Sequence, residues 1–203
     1  MSALNRKLAL PSGSSWWPLA GVALLCLVLG FGAEEAREWG RYEREAIEAG
    51  EFWRLLTGHL VHSGWSHLWL NLAALGLLAV LFAEARTPLG WLWVLLSSAV
   101  VIDVGLYLLQ PGVAWYVGLS GVLHGVIAAG SLSSLGREQT KSSLVIVAAL
   151  LAKLGFEHWF GPLPLTQSAS AGPVVVAAHL YGAVGGAMTA IPGLWHHHCT
   201  PRD

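Results

Sequence analysis

Apolar residues run along this chain in stretches too continuous for the one-sided face of a soluble helix, with short polar breaks between them. Six stretches approach the roughly 20 predominantly apolar residues that a membrane-spanning helix needs: 15–33, 66–85, 90–110, 118–135, 142–156 and 172–191. The fifth is the weakest, being short and carrying Lys153. The first follows Arg6 and Lys7, but its apolar core is long and "FGAEEAREWG" is a poor cleavage site, so it reads as a retained span rather than a signal peptide. Between the first two spans the pattern changes. Residues 34–56 are charged on most turns, with Trp39, Phe52, Trp53, Leu55 and Leu56 as apolar content, which predicts one or two short helices lying at the outer surface. Trp16, Trp17, Trp65, Trp69, Trp91, Trp115 and Trp159 fall near span ends, where amphipathic rings prefer the membrane interface. The expected architecture is an all-α, polytopic bundle of six transmembrane helices forming one domain over 1–203, with tails 1–14 and 192–203 and an outer loop 34–65.

Composition agrees with this picture: 55% of the 203 residues are hydrophobic and 11% are charged, where a soluble domain carries about 25%. The net charge of −1 and the absence of a basic run argue against a nucleic-acid partner. Cys26 and Cys199 form neither a metal-ligand spacing nor a disulfide framework. An even number of spans puts both termini on one side. Six basic residues (Arg6, Lys7, Arg86, Arg137, Lys141, Arg202) fall on that side and five on the other (Arg37, Arg41, Arg44, Arg54, Lys153), so the termini are expected in the cytoplasm.

Polar residues inside spans are expensive in lipid and are functional candidates by default. "SHLWLNLAAL" opens the second span with His67 and Asn71 at i and i+4, on one helix face. "GLSGVLHG" opens the fourth with Ser120, and "AAHLYGAVGG" carries His179 about two turns into the sixth. Spans two, four and six all start on the outer side, so these four side chains lie at one end of the bundle. A serine hydroxyl is a weak nucleophile that needs a base within hydrogen-bond reach, and a histidine supplies one. Attack on a peptide carbonyl creates an oxyanion. The free N–H groups of a helix N-terminus, the Asn71 amide and the His67 imidazole are the available donors. Gly121 with Gly125, and Gly182 with Gly186, form G-x-x-x-G pairs that let two helices approach closely, as a serine and a histidine on different helices require.

Each residue alone has a plainer reading: Ser120 as packing, His179 as a satisfied core residue, Asn71 as interhelical glue. Four of them at one depth are harder to explain that way. His59 and His62 read as structural hydrogen-bonders of the outer loop. A zinc site on His62, His67 and His179 is disfavoured by the absence of a His-Glu-x-x-His motif and of a carboxylate within these motifs. No metal or other cofactor is implied.

The "H-x-x-x-N" of "SHLWLNLAAL", the "GLSG" of the fourth span, the "AHLYG" of the sixth and "WRLLTGHLVH" before the second together resemble the rhomboid family of intramembrane serine proteases, over about residues 50–190. The resemblance implies Ser120 as nucleophile, His179 as general base, and His67, Asn71 and the backbone at Gly118, Leu119 and Ser120 on the oxyanion and substrate side. Many rhomboids carry an aromatic residue four positions after the serine, stacked on the catalytic histidine; here it is His124. "GLSGVLHG" is similar to rhombosortases, a bacterial subfamily paired with proteins ending in Gly-Gly, a transmembrane helix and a basic tail. That implies a bacterial inner-membrane protein with its site facing the periplasm, and a substrate whose glycines ease helix unwinding by about 1 kcal/mol each relative to alanine. The alternatives are a general rhomboid protease of single-span proteins and a non-catalytic, rhomboid-like membrane chaperone. A transporter would predict internal repeats and broken spans, and the sequence shows no convincing repeat.

Three features remain. Asp103, in the third span near the depth of His124 and His179, is expected to hydrogen-bond one of those histidines or to satisfy a neighbouring hydroxyl. Lys153 and Glu157, at i and i+4, are expected to form an ion pair. The terminal "WHHHCT" offers weak metal ligands at most.

Overall fold

The computed structural model describes residues 16–82, 85–135 and 140–190. The two tails, with Cys199 and "WHHHCT", lie outside the described residues. In chain order the elements are α1 (Trp17–Phe31), α2 (Ala33–Gly40), β1 (Tyr42–Glu43), α3 (Arg44–Glu48), α4 (Arg54–Thr57), α5 (Trp65–Phe82), α6 (Pro88–Leu109), β2 (Trp115–Tyr116), α7 (Ser120–Ser133), α8 (Thr140–Phe160), α9 (Pro164–Ala169) and α10 (Val176–Met188).

Every predicted apolar stretch holds a helix, with three changes of extent. α8 has 21 residues and outlasts the 142–156 stretch at both ends, and within it Lys153 and Glu157 form an ion pair one turn apart. α7 and α10 are shorter than predicted, at 14 and 13 residues, or about 20 Å at 1.5 Å per residue. α5, α6 and α8 are long and apolar enough to cross a membrane, and α1 with α2 qualify together but bend by 117°. α7 and α10 can be short because protein rather than lipid satisfies the irregular backbone that leads into them. α7 is buried along most of its length. Outward-facing Leu77, Val80, Leu144, Val145, Leu151 and Leu108 are exposed apolar side chains on the long helices, and the chain is a multi-pass membrane protein.

Backbone contact organises the centre. A Cβ added at Gly182 would collide with the carbonyl of Gly121, and one at Gly186 with the backbone of Gly125. In the reverse direction, a Cβ at Gly121 would lie 2.9 Å from the Ala178 carbonyl and one at Gly125 2.7 Å from the Gly182 carbonyl. The two G-x-x-x-G faces are therefore pressed against each other. On its other side α10 meets α6: Gly185 abuts Ser97 and Ser98, and the Ser97 hydroxyl donates to the Gly185 carbonyl at 2.8 Å. Trp91 of α6 is fully buried here, contrary to its expected place at the interface, whereas Trp16, Trp17, Trp65, Trp69 and Trp159 are exposed as expected. Trp91 lies near an end of its span, but its ring points inward among helices rather than outward.

The segment between α1 and α5 folds as three short helices and a strand. β1 pairs antiparallel with β2, Tyr42 opposite Tyr116 and Glu43 opposite Trp115, which ties this segment to the residues just before Ser120. The Arg44 guanidinium donates to the carbonyls of Leu106 (2.8 Å), Tyr107 (3.1 Å), Gln110 (3.1 Å) and Val113 (3.5 Å), capping the C-terminus of α6. Arg54 is buried, donating to Glu51 at 2.6 Å and to the carbonyls of Glu38 and Arg41. Trp39, Phe52, Trp53 and Leu56 stay exposed, leaving an apolar surface on an otherwise charged segment.

Candidate active site

Ser120 is the first residue of α7, where the opening N–H groups of a helix have no intrahelical acceptor. His179 lies in the first turn of α10, because residues 172–175 are not helical and the helix starts later than expected. The glycine contact between the two helices brings these side chains together: Ser120 Oγ lies 3.0 Å from His179 Nε2. Ser120 is part-exposed, while His179 is buried.

The rest of the histidine's surroundings decide its tautomer. His179 Nδ1 lies 2.8 Å from Glu157 Oε2 on α8. A carboxylate only accepts, so Nδ1 carries the proton and Nε2 is left as the acceptor facing the Ser120 hydroxyl. Lys153 Nζ sits 2.7 Å from the other Glu157 oxygen, the expected ion pair, and 3.5 Å from His179 Nδ1. Glu157 is buried with 2% exposure, so its charge depends on these two partners. The sequence reading assigned Glu157 to Lys153 alone. An ionisable pair inside an apolar helix was the available signal, but helical spacing says nothing about what a neighbouring helix brings alongside.

His124 stacks on His179, with ring centroids 4.3 Å apart and planes 16° from parallel, as expected for the aromatic position it replaces. Its Nδ1–H donates to the Ser120 carbonyl at 2.7 Å, one turn back. His124 Nε2 is buried without a hydrogen-bond partner.

On the opposite wall, Gly118 has φ +116°, and a Cβ there would meet His67 Cε1 at 2.6 Å and Nε2 at 2.9 Å. Only glycine admits both that backbone conformation and the imidazole lying against it. His67 Nδ1 bonds Ser63 Oγ at 3.0 Å, and Ser63 Oγ also accepts from the Ala171 N–H at 3.2 Å. The Asn71 amide donates to the His67 carbonyl at 2.9 Å, so it braces the turn that carries His67. The Gly118 N–H is spent on the Gly58 carbonyl at 2.9 Å, and the Gly118 carbonyl accepts the Tyr116 hydroxyl at 2.6 Å. Gly118 thus shapes the loop, and the expected donors that remain are the N–H groups that open α7, the His67 imidazole and the second N–H of the Asn71 amide.

Asp103 is corrected. It pairs with His59 Nε2 at 3.2 Å rather than with His124 or His179. Depth along a span does not set the direction in which a side chain points, and Asp103 faces the segment between α1 and α5. His59 and His62 are structural as expected, His62 Nδ1–H donating to the Leu60 carbonyl at 3.1 Å.

His124, Glu157 and His179 each offer a ligand atom within 4.8 Å of the others. Two nearly parallel rings direct their in-plane lone pairs past each other, and the Lys153 ammonium already supplies the cation beside Glu157, so the arrangement suits a relay of hydrogen bonds better than a metal.

A polytopic helical bundle with a serine and a histidine paired at a helix N-terminus defines a class of membrane protein. Residues 49–196 match the Rhomboid domain family, and the chain belongs to that family. It is also 28% identical over 144 residues to the Bacillus subtilis (strain 168) protein named "Putative rhomboid protease YdcA", an alignment covering 69% of this chain. The chain spans 66% of that relative's length.

Proposed function

We propose that this chain is an intramembrane serine endopeptidase of six spans forming one domain over residues 1–203, in which Ser120 attacks a substrate peptide bond and His179 is the general base. The observation that carries this reading is the 3.0 Å contact between Ser120 Oγ and His179 Nε2 across the α7–α10 crossing. In the first step the Ser120 proton passes to Nε2 as the Oγ–C bond forms, and the oxyanion is met by the N–H groups at the start of α7 and by His67 with Asn71. Collapse breaks the C–N bond, and the Nε2 proton goes to the leaving amine. Water then attacks the acyl-enzyme by the same route and releases the carboxylate.

The substrate class follows from the setting. A transmembrane helix hides its peptide bonds, so the favoured substrate is a single-span protein whose glycines make local unwinding cheap. The "GLSGVLHG" sequence, with histidine at position 124 where many rhomboids carry an aromatic residue, supports the rhombosortase-like reading, with cleavage at or near a C-terminal Gly-Gly, transmembrane and basic-tail signal. The protein then lies in a bacterial inner membrane, termini in the cytoplasm and site toward the periplasm.

Co-expression with a reporter bearing that C-terminal signal tests the reading, with Ser120→Ala and His179→Ala in parallel. Cleavage lost in both variants while each still accumulates in the membrane supports it. Cleavage of a generic single-span reporter alone keeps the protease and removes the subfamily. Cleavage of neither reporter turns the reading to a non-catalytic membrane chaperone.

A further inference from the structure

We propose that Glu157 is a positioning residue for catalysis, so that the site works as a Ser120–His179–Glu157 triad rather than a serine–histidine pair. The proposal rests on Ser120 being the nucleophile. Its ground is geometric: one imidazole bridges the serine hydroxyl, 3.0 Å from Nε2, and a buried carboxylate, 2.8 Å from Nδ1. The three groups come from three helices, α7, α10 and α8, and their order matches the hydrogen-bond chain that makes a serine basic-assisted in unrelated folds.

Three consequences follow for the reaction. The carboxylate holds the proton on Nδ1, so every resting histidine presents its free lone pair to Ser120. It also fixes the ring plane, which the His124 stack alone would leave free to rotate within its layer. When Nε2 takes the serine proton, the imidazolium faces a negative charge already in place. The Glu157 carboxylate keeps its charge through the cycle and takes up no proton. Lys153 is the second half of the device. With its ammonium 2.7 Å from Glu157 Oε1, it leaves Oε2 for the histidine and neutralises a charge that would otherwise be stranded in the bundle.

The test uses the full chain in detergent micelles. The kcat and KM for a cleaved single-span substrate and the rate of labelling by a fluorophosphonate are measured for wild type, Glu157→Gln, Glu157→Asp and Ser120→Ala. Proton spectra of histidine-¹⁵N-labelled protein look for the low-field Nδ1–H resonance of a carboxylate-bound imidazole. Exchanging a triad carboxylate for its amide drops kcat by about 10⁴-fold in the well-studied case. We expect Glu157→Gln to lower kcat and the labelling rate by about 10²–10⁴-fold with KM within about threefold, and Glu157→Asp, which keeps the charge, to recover part of the loss. The low-field resonance should survive in Ser120→Ala and vanish in Glu157→Gln. A folded Glu157→Gln with wild-type kcat, or a low-field resonance unchanged in it, overturns the proposal. Labelling of Ser120→Ala at the wild-type rate overturns the protease reading and the triad with it, whereas the resonance still reports the Glu157–His179 bond.

Discussion

Gly182 offers the sharpest test of how helix packing sets the proposed active site. Its Cα faces Gly121, the residue after Ser120, and it lies one turn beyond His179 on the same helix. In Gly182→Ala the new methyl would sit 2.6 Å from the Gly121 carbonyl carbon and closer still to its oxygen. Non-bonded carbons separate to about 3.5–4.0 Å, so α10 must retreat from α7 by about 1 Å. The neighbouring atoms are backbone on both sides and cannot swing aside. The same retreat lengthens the Ser120–His179 contact from 3.0 Å to about 4 Å, beyond hydrogen-bond range. A misplacement of about 1 Å costs roughly 10²-fold in rate, and overpacking costs about 1–3 kcal/mol of stability. The assay is fluorophosphonate labelling of Ser120 alongside thermal unfolding in detergent. Gly155→Ala serves as control, because nothing lies within 4 Å of a Cβ at that position of α8. Labelling of Gly182→Ala within about twofold of wild type, at an unchanged midpoint, would refute the claim that backbone contact sets the catalytic distance.

Three further outcomes are expected. Gly118→Ala should slow labelling by at least about tenfold, since a left-handed alanine costs about 1–2 kcal/mol and its methyl displaces His67; an unchanged rate would mean that the His67 wall is not needed. Arg44→Met removes the donor to four carbonyls at the end of α6, and hydrogen exchange of Leu106–Val113 amides should rise relative to α5, an effect absent if water replaces the guanidinium without loss. His62, in the link between α4 and α5, has its pKa lowered to about 3 by burial and by the nearby His67. A base with a depressed folded pKa stays neutral while the unfolded chain takes up its proton, so stability should fall as pH drops from about 6.5 toward 3. In His62→Gln the midpoint should fall less over that window; equal acid sensitivity would assign the effect elsewhere.

Much of this molecule is readable one residue at a time. The apolar runs marked where α1, α5, α6, α7, α8 and α10 lie, but of these α5, α6 and α8 are long and apolar enough to cross a membrane on their own, because only a segment that meets lipid along its length must be long, apolar and internally hydrogen-bonded. The paired glycines announced a close crossing, and Ser120 and His179 stood out because a hydroxyl and an imidazole are costly in an apolar span without a purpose. These are properties of residue type and spacing along one chain. His124, four residues after the serine, stood out only through the family resemblance.

What the tertiary structure alone decided is direction across helices. Asp103 and Glu157 were both acids in spans; periodicity assigned Glu157 to Lys153 and depth suggested a catalytic neighbour for Asp103. The fold turns Asp103 toward His59 and brings Glu157 beneath His179. The Gly118 N–H, free by its sequence position, is taken by a carbonyl sixty residues earlier. Hydrogen bonds have a reach of about 3 Å, and which atoms come within it depends on the rotation and crossing of helices about one another, set by the sum of all their contacts and by no single segment of sequence.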